Sequence, residues 1–125
     1  MKNRKHILIV DDVTTNLRYI GEVLKDNYTL SMAKSGEQAF KMIEKALPDL
    51  ILLDVKMPGM DGFSVISKLS DDDRYKDIPV IFLSADSQEE TEIKGLKLGA
   101  VDFISKPFSP EEIQQRIREV LGEEN

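Results

Sequence analysis

Leu50-Ile51-Leu52-Leu53-Asp54-Val55-Lys56-Met57-Pro58-Gly59-Met60-Asp61-Gly62 is the stretch whose reading decides the fold. Its four leading apolar residues read as a strand buried on both faces, the pattern of a parallel-sheet centre. The run ends in Asp54, and Pro58-Gly59 and Asp61-Gly62 then turn the chain. A carboxylate therefore stands at the carboxyl end of a buried strand, where open α/β sheets place their ligands. On this stretch alone, a carboxylate that merely caps the next turn is an equal reading.

Working outward, His6-Ile7-Leu8-Ile9-Val10 has the same buried character and runs into Asp11-Asp12. Thr14 or Thr15 is placed to cap a helix carrying Leu17, Ile20 and Leu24 at helical spacing, with Asp26-Asn27 as its stop. Tyr28 to Ala33 alternates as a strand. Ser35-Gly36-Glu37-Gln38 has capping-box form and opens a helix with Ala39, Phe40, Ile43 and Leu47 on one side, ended by Pro48. Beyond the central stretch, Phe63, Ile66 and Leu69 mark a third helix, and Asp71 to Asp77 a polar loop. Pro79 to Leu83 is a buried strand closing on Ser84-Ala85. Ser87 to Leu98 is a charged helix with Ile93 and Leu96 as a thin apolar stripe and Gly99 as its C′ residue. Val101 to Ser105 is a short strand closing on Lys106-Pro107. Ser109-Pro110-Glu111-Glu112 then starts a last helix whose buried stripe is Ile113, Ile117, Val120 and Leu121. Gly122 to Asn125 reads as a frayed end.

Strands and helices alternate throughout, which predicts an α/β fold with a parallel sheet covered on both faces. With five strands the expected doubly wound order is 2-1-3-4-5, whose switch point lies between the first and third strands. Those two strands end in Asp11-Asp12 and Asp54. Two independent readings converge on one spot.

The totals narrow the function. At 125 residues the chain is one domain, residues 1–125, with a core over about 5–121. A net charge of −6 speaks against nucleic acid and against an anionic membrane surface. No cysteine is present, so disulfides and thiol chemistry drop out, which is compatible with a reducing cytoplasm. The apolar run Ile7 to Val10 is too short for a signal-peptide core, and no stretch approaches a membrane span.

Asp11, Asp12 and Asp54 offer an oxygen-only site for a hard cation. At about 5 Å and an effective dielectric near 20, each pair of carboxylates repels by roughly 3 kcal/mol, so such a cluster takes up a metal or a proton. Few protein ligands and a wet edge favour Mg²⁺. Taken alone, Asp11-Asp12 reads first as a solvated acidic rim, Ser84 as a helix cap and Lys106 as a surface charge. Together at successive strand ends they offer a phosphoryl group a metal, an ammonium and a hydroxyl, with Asp54 as nucleophile. Gly-rich phosphate loops are absent, and His6 is the single histidine, too little for a triad or a zinc site.

Ile9-Val10-Asp11-Asp12, Leu53 to Gly62, Leu83-Ser84-Ala85, Gly99-Ala100 and Phe103-Ile104-Ser105-Lys106-Pro107-Phe108 occur in this order at strand ends. In these residues the chain resembles the receiver domain of two-component response regulators over essentially its whole length. That resemblance implies Asp54 as phosphoacceptor for a histidine kinase or histidine phosphotransfer protein. It implies Mg²⁺ held directly by Asp12 and Asp54, through water by Asp11, and by the Lys56 backbone carbonyl. Ser84 and Lys106 would hold phosphoryl oxygens, and the Lys106-Pro107 bond is expected to be cis. Phe103 takes the place of the switch aromatic, where the family more often has Tyr. It is expected to fill, from the surface, space vacated by Ser84. The face of the fourth helix, fifth strand and fifth helix, with Glu90, Lys94 and Lys97, would then meet an output domain or protein target.

The expected product is a phosphorylation switch that catalyses only its own phosphorylation and dephosphorylation. A phosphatase-like enzyme wants a second Asp two residues after the nucleophile, and Lys56 stands there. A scaffold-only receiver would normally have lost an acid or the Lys. A single-domain regulator and a receiver cut from a longer chain both remain open readings.

Overall fold

The structure, a computed structural model, describes residues 4–84, 89–107 and 109–123. The elements run β1 (His6–Val10), α1 (Thr14–Leu24), β2 (Thr29–Ala33), α2 (Gly36–Lys45), β3 (Leu50–Asp54), α3 (Gly62–Ser70), β4 (Val80–Ser84), α4 (Glu89–Lys97), β5 (Asp102–Ser105) and α5 (Pro110–Leu121). All neighbouring strands are parallel, in the order β2-β1-β3-β4-β5. This is the doubly wound sheet expected from the alternation of strands and helices.

Strand periodicity splits the core in two, because successive side chains point to opposite faces. Ile7, Ile9, Leu50, Leu52, Ile81, Leu83 and Ile104 pack with Leu17, Ile20, Leu24, Ile113 and Ile117 of α1 and α5. Leu8, Val10, Ile51, Leu53, Val80, Phe82 and Phe103 face the other way, toward Ala39 and Ile43 of α2 and Val65, Ile66 and Leu69 of α3. Every residue of β3 and β4 is buried. Among the described residues no helix is long and apolar enough to cross a membrane.

The caps follow the sequence in part. Ser35 and Ser109 each accept the backbone N–H three residues on, from Gln38 and Glu112. Gln38 reaches back to the N–H of Lys34 rather than to that of Ser35. Gly99, at φ 115°, closes α4 with Gly99 N–H on Leu96 O and Ala100 N–H on Gly95 O, the paired bonds of a Schellman end. The Lys106-Pro107 bond is cis, as expected.

Five details depart from the sequence reading. Neither Thr14 nor Thr15 caps α1; they lie inside it, Val13 holds the cap position without a side-chain bond, and the Asp11 carboxylate accepts the Val13 N–H instead. Leu47 lies beyond α2 and is 58% exposed, because the helix ends at Lys45. The loop from Asp71 to Asp77 is not wholly polar, since Tyr75 is buried in the core. Ile93 and Leu96 face solvent at 42% and 43% exposure. Helix α4 sits down on Gly95 instead, where an added Cβ would lie 2.9 Å from the Phe82 ring. Finally, residue 123 is not frayed: Glu123 N–H bonds Arg118 O, and its carboxylate accepts the Tyr28 hydroxyl at 2.7 Å. Ala85, Ser87, Phe108, Glu124 and Asn125, also named in the sequence reading, lie outside the described residues.

Candidate functional site

The switch point of the sheet gathers the acids. Asp11 leaves β1 with its N–H on Ala33 O of β2 at 3.1 Å, and its side chain is fully buried. Asp12, beside it, is half-buried. Asp54 is the last residue of β3 and is 6% exposed. Carboxylate oxygens of Asp11, Asp12 and Asp54 all lie within 4.8 Å of one another. Adjacent Asp11 and Asp12 reach one spot because the strand has already ended at Val10.

Lys106 comes from the far side. Its N–H bonds the carbonyl of Ser84 at 2.6 Å, so the ends of β4 and β5 are tied together where the ammonium departs. The Nζ stands 3.3 Å from Asp11 Oδ2 and 3.7 Å from Asp54 Oδ1, with the side chain 19% exposed. Ser84 is buried and follows Leu83, the register partner of Asp54. Thus Asp11, Asp12, Asp54, Ser84 and Lys106 all stand at or just past neighbouring strand ends, with the three acids close together and Lys106 in reach of Asp11 and Asp54.

The loop after Asp54 folds back closely on the end of β3. Gly62 N–H bonds Val55 O at 2.8 Å, and Asp61 caps α3 by accepting Ser64 N–H at 2.9 Å. A Cβ on Gly62 would collide with the Asp54 carbonyl and touch Phe82, so only glycine lets the loop return this tightly. Lys56 is exposed on that loop. Lys94 of α4 lies 4.6 Å over the Phe63 ring beside it.

The profile of the response regulator receiver domain matches residues 7–118. The chain belongs to this family. It is 42% identical over 113 residues to the response regulator PleD of Caulobacter vibrioides, covering 90% of this chain and 25% of that protein. To the phosphate regulon transcriptional regulatory protein PhoB of Pseudomonas aeruginosa it is 42% identical over 118 residues, covering 94% and 52%. The chain thus spans between a quarter and about half the length of these curated relatives. A solved putative response regulator from Chloroflexus aurantiacus matches with a TM-score of 0.92 and 34% identity over 96% of this chain and 99% of that one. The chemotaxis protein CheY4 of Vibrio cholerae gives 0.89 and 29%, over 94% and 99%. Receiver domains serve two-component signalling, so this is a signalling domain.

Electrostatics in this receiver domain follow from the crowding. Burial, then the Asp11 charge, push Asp54 up to about 6, and Lys106 only partly offsets them. One ammonium faces three carboxylates, so the site still favours a cation. An all-oxygen donor set of this kind suits Mg²⁺.

Phe103 stands at the inner end of the path expected for it. Its ring is already inside at 7% exposure, 6.4 Å from the Phe82 ring centroid, because β5 parity points it at the α4 side of the sheet. Sequence reasoning missed Asn16, whose Nδ2 donates to Asp11 Oδ2 at 3.1 Å. The available signal was an Asp two residues before a free helix-start N–H, the pattern of an Asx turn that fixes that carboxylate.

Proposed function

We propose that the domain accepts a phosphoryl group on Asp54 from a phosphohistidine on a histidine kinase or histidine phosphotransfer protein in the cytoplasm, where the kinase's ATP is. The observation that carries this reading is the Lys106 ammonium set between Asp11 and Asp54 at the switch point. An Asp54 oxygen bonds to phosphorus as the P–N bond to the donor imidazole breaks, and the leaving nitrogen takes a proton from solvent. Lys106, displaced toward the arriving group, pairs with one phosphoryl oxygen, and the Ser84 hydroxyl holds another. Asp11, Asp12, Asp54 and the Lys56 carbonyl are the residues to hold Mg²⁺. When bound, the ion neutralises charge on the phosphoryl oxygens.

Output follows from the other side of Ser84. Residues Phe82 and Ser84 point to the same face of β4, and Phe82 meets the Phe103 ring. Movement of Ser84 toward Asp54 therefore loosens the packing of Phe82, Phe103 and Gly95 and shifts α4. The face of α4, β5 and α5, carrying Glu90, Lys94 and Lys97, is read as the one that meets an output domain or target. Residues 1–125 are read as one receiver domain with no nucleic-acid or membrane contact of its own.

The test is intact mass after incubation with Mg²⁺ and a small acyl phosphate. Wild type gains one phosphate, Asp54→Asn gains none, and a chelator abolishes the gain. Labelling of the Asn variant, or labelling without divalent metal, sinks the assignment.

A further inference from the structure

The Asn16 amide has no task in the chemistry above, yet it touches the buried end of the site. The Asp11 carboxylate is held from three sides: Oδ1 by the Val13 N–H at 2.9 Å, and Oδ2 by Asn16 Nδ2 at 3.1 Å and Lys106 Nζ at 3.3 Å. Asn16 and Lys106 thus share one oxygen. Asp54 lies farther from the ammonium, at 3.7 Å. A fully buried carboxylate draws strongly on whatever donors it has, since an unmet acceptor there is costly. With Asn16 supplying one bond to Oδ2, Asp11 demands less of Lys106. Without it, Oδ2 has the ammonium as its single described donor.

We propose that Asn16 is a positioning residue: it fixes the Asp11 carboxylate and so keeps Lys106 poised between Asp11 and Asp54 instead of bound to Asp11 alone. This rests on the reading of Asp54 as phosphoacceptor, because the poise matters when Lys106 moves to a phosphoryl oxygen. Thr14 and Thr15, its neighbours on α1, are exposed and offer no substitute donor among the described contacts.

The test compares Asn16→Leu, which keeps the branched shape and loses the amide, with Asn16→Gln, which keeps the amide on a longer stem. Both are first checked for cooperative thermal unfolding. In metal-free, unphosphorylated protein the Lys106 ε-methylene resonance, assigned by its loss in Lys106→Arg, is expected to move in Asn16→Leu and to return toward wild type in Asn16→Gln. Resonances of Lys56 and Lys94 are expected to stay in place. At saturating Mg²⁺, labelling by a small acyl phosphate is expected to slow about tenfold in Asn16→Leu, as for other residues that orient a site from behind. The Gln variant is expected to recover part of that rate. A Lys106 resonance unmoved in folded Asn16→Leu, or undiminished labelling, overturns the proposal. Wild type that never labels would count against the Asp54 reading, while the Lys106 resonance still decides the role of Asn16.

Discussion

At the scale of single residues, the acids and the lysine were legible because each ends a run whose apolar pattern announces a strand. Asp54 carries a measurable cost. Its pKa of about 6 in the fold lies above the ordinary 3.8, so between those values the folded chain binds more protons than the unfolded one. Stability therefore falls as pH rises from about 4 to about 6, and the full penalty, about 2 kcal/mol with allowance for water at the rim, is present at pH 7. In metal-free buffer Asp54→Asn should stabilise by that order at pH 7 and hardly at pH 4, read from urea unfolding at both. Equal effects at the two pH values would contradict the raised pKa. Asp12→Ala removes a proposed ligand, and calorimetry should show weaker Mg²⁺ binding; undiminished affinity would remove Asp12 from the site. Phe103 was legible as a strand residue with an apolar inward place, while its resting position depends on which face of β5 meets α4. At 7% exposure, Phe103→Ala should cost about 3–5 kcal/mol. A cost below about 1 kcal/mol would mean that the ring spends its time outside.

Among the elements, the starts of α5 and α1 show the two cases, one written in the sequence and one borrowed from the site. Ser109 caps α5 through its own hydroxyl, so Ser109→Ala should cost about 1 kcal/mol. Thr14→Ala should be close to neutral, because the bond to the start of α1 comes from Asp11. A Thr14 variant as costly as the Ser109 one would restore the threonine cap. Helix α4 was the element read least well. Its sequence shows two apolar residues at helical spacing, yet contact with the sheet is made where a side chain is missing. Gly95 lies against Phe82, and a Cβ there would stand 2.9 and 3.1 Å from ring atoms. Gly95→Ala should therefore destabilise by about 1–3 kcal/mol despite its better helix propensity, as measured by chemical denaturation. A stabilised variant would show that α4 is free to lift off the sheet.

Across the whole molecule, the sheet order was legible because continuous apolar strands alternating with helices admit few parallel topologies, and the short turns keep neighbours adjacent. Contacts between distant parts were not, since no local pattern ties Tyr28 to Glu123 or Arg116 to Asp102. The proposed phosphorylation joins the scales: the sheet brings one carboxylate, Asp54, to its switch point, and on that proposal Asp54 alone takes the phosphoryl group. The most direct test is to treat the protein with Mg²⁺ and a small acyl phosphate and then with sodium borohydride, which reduces an aspartyl phosphate to homoserine. Peptide mass mapping then locates the product. Homoserine at position 54 and at no other aspartate is the predicted result. Homoserine at Asp11 or Asp12, or a gained phosphate with Asp54 intact, would contradict it.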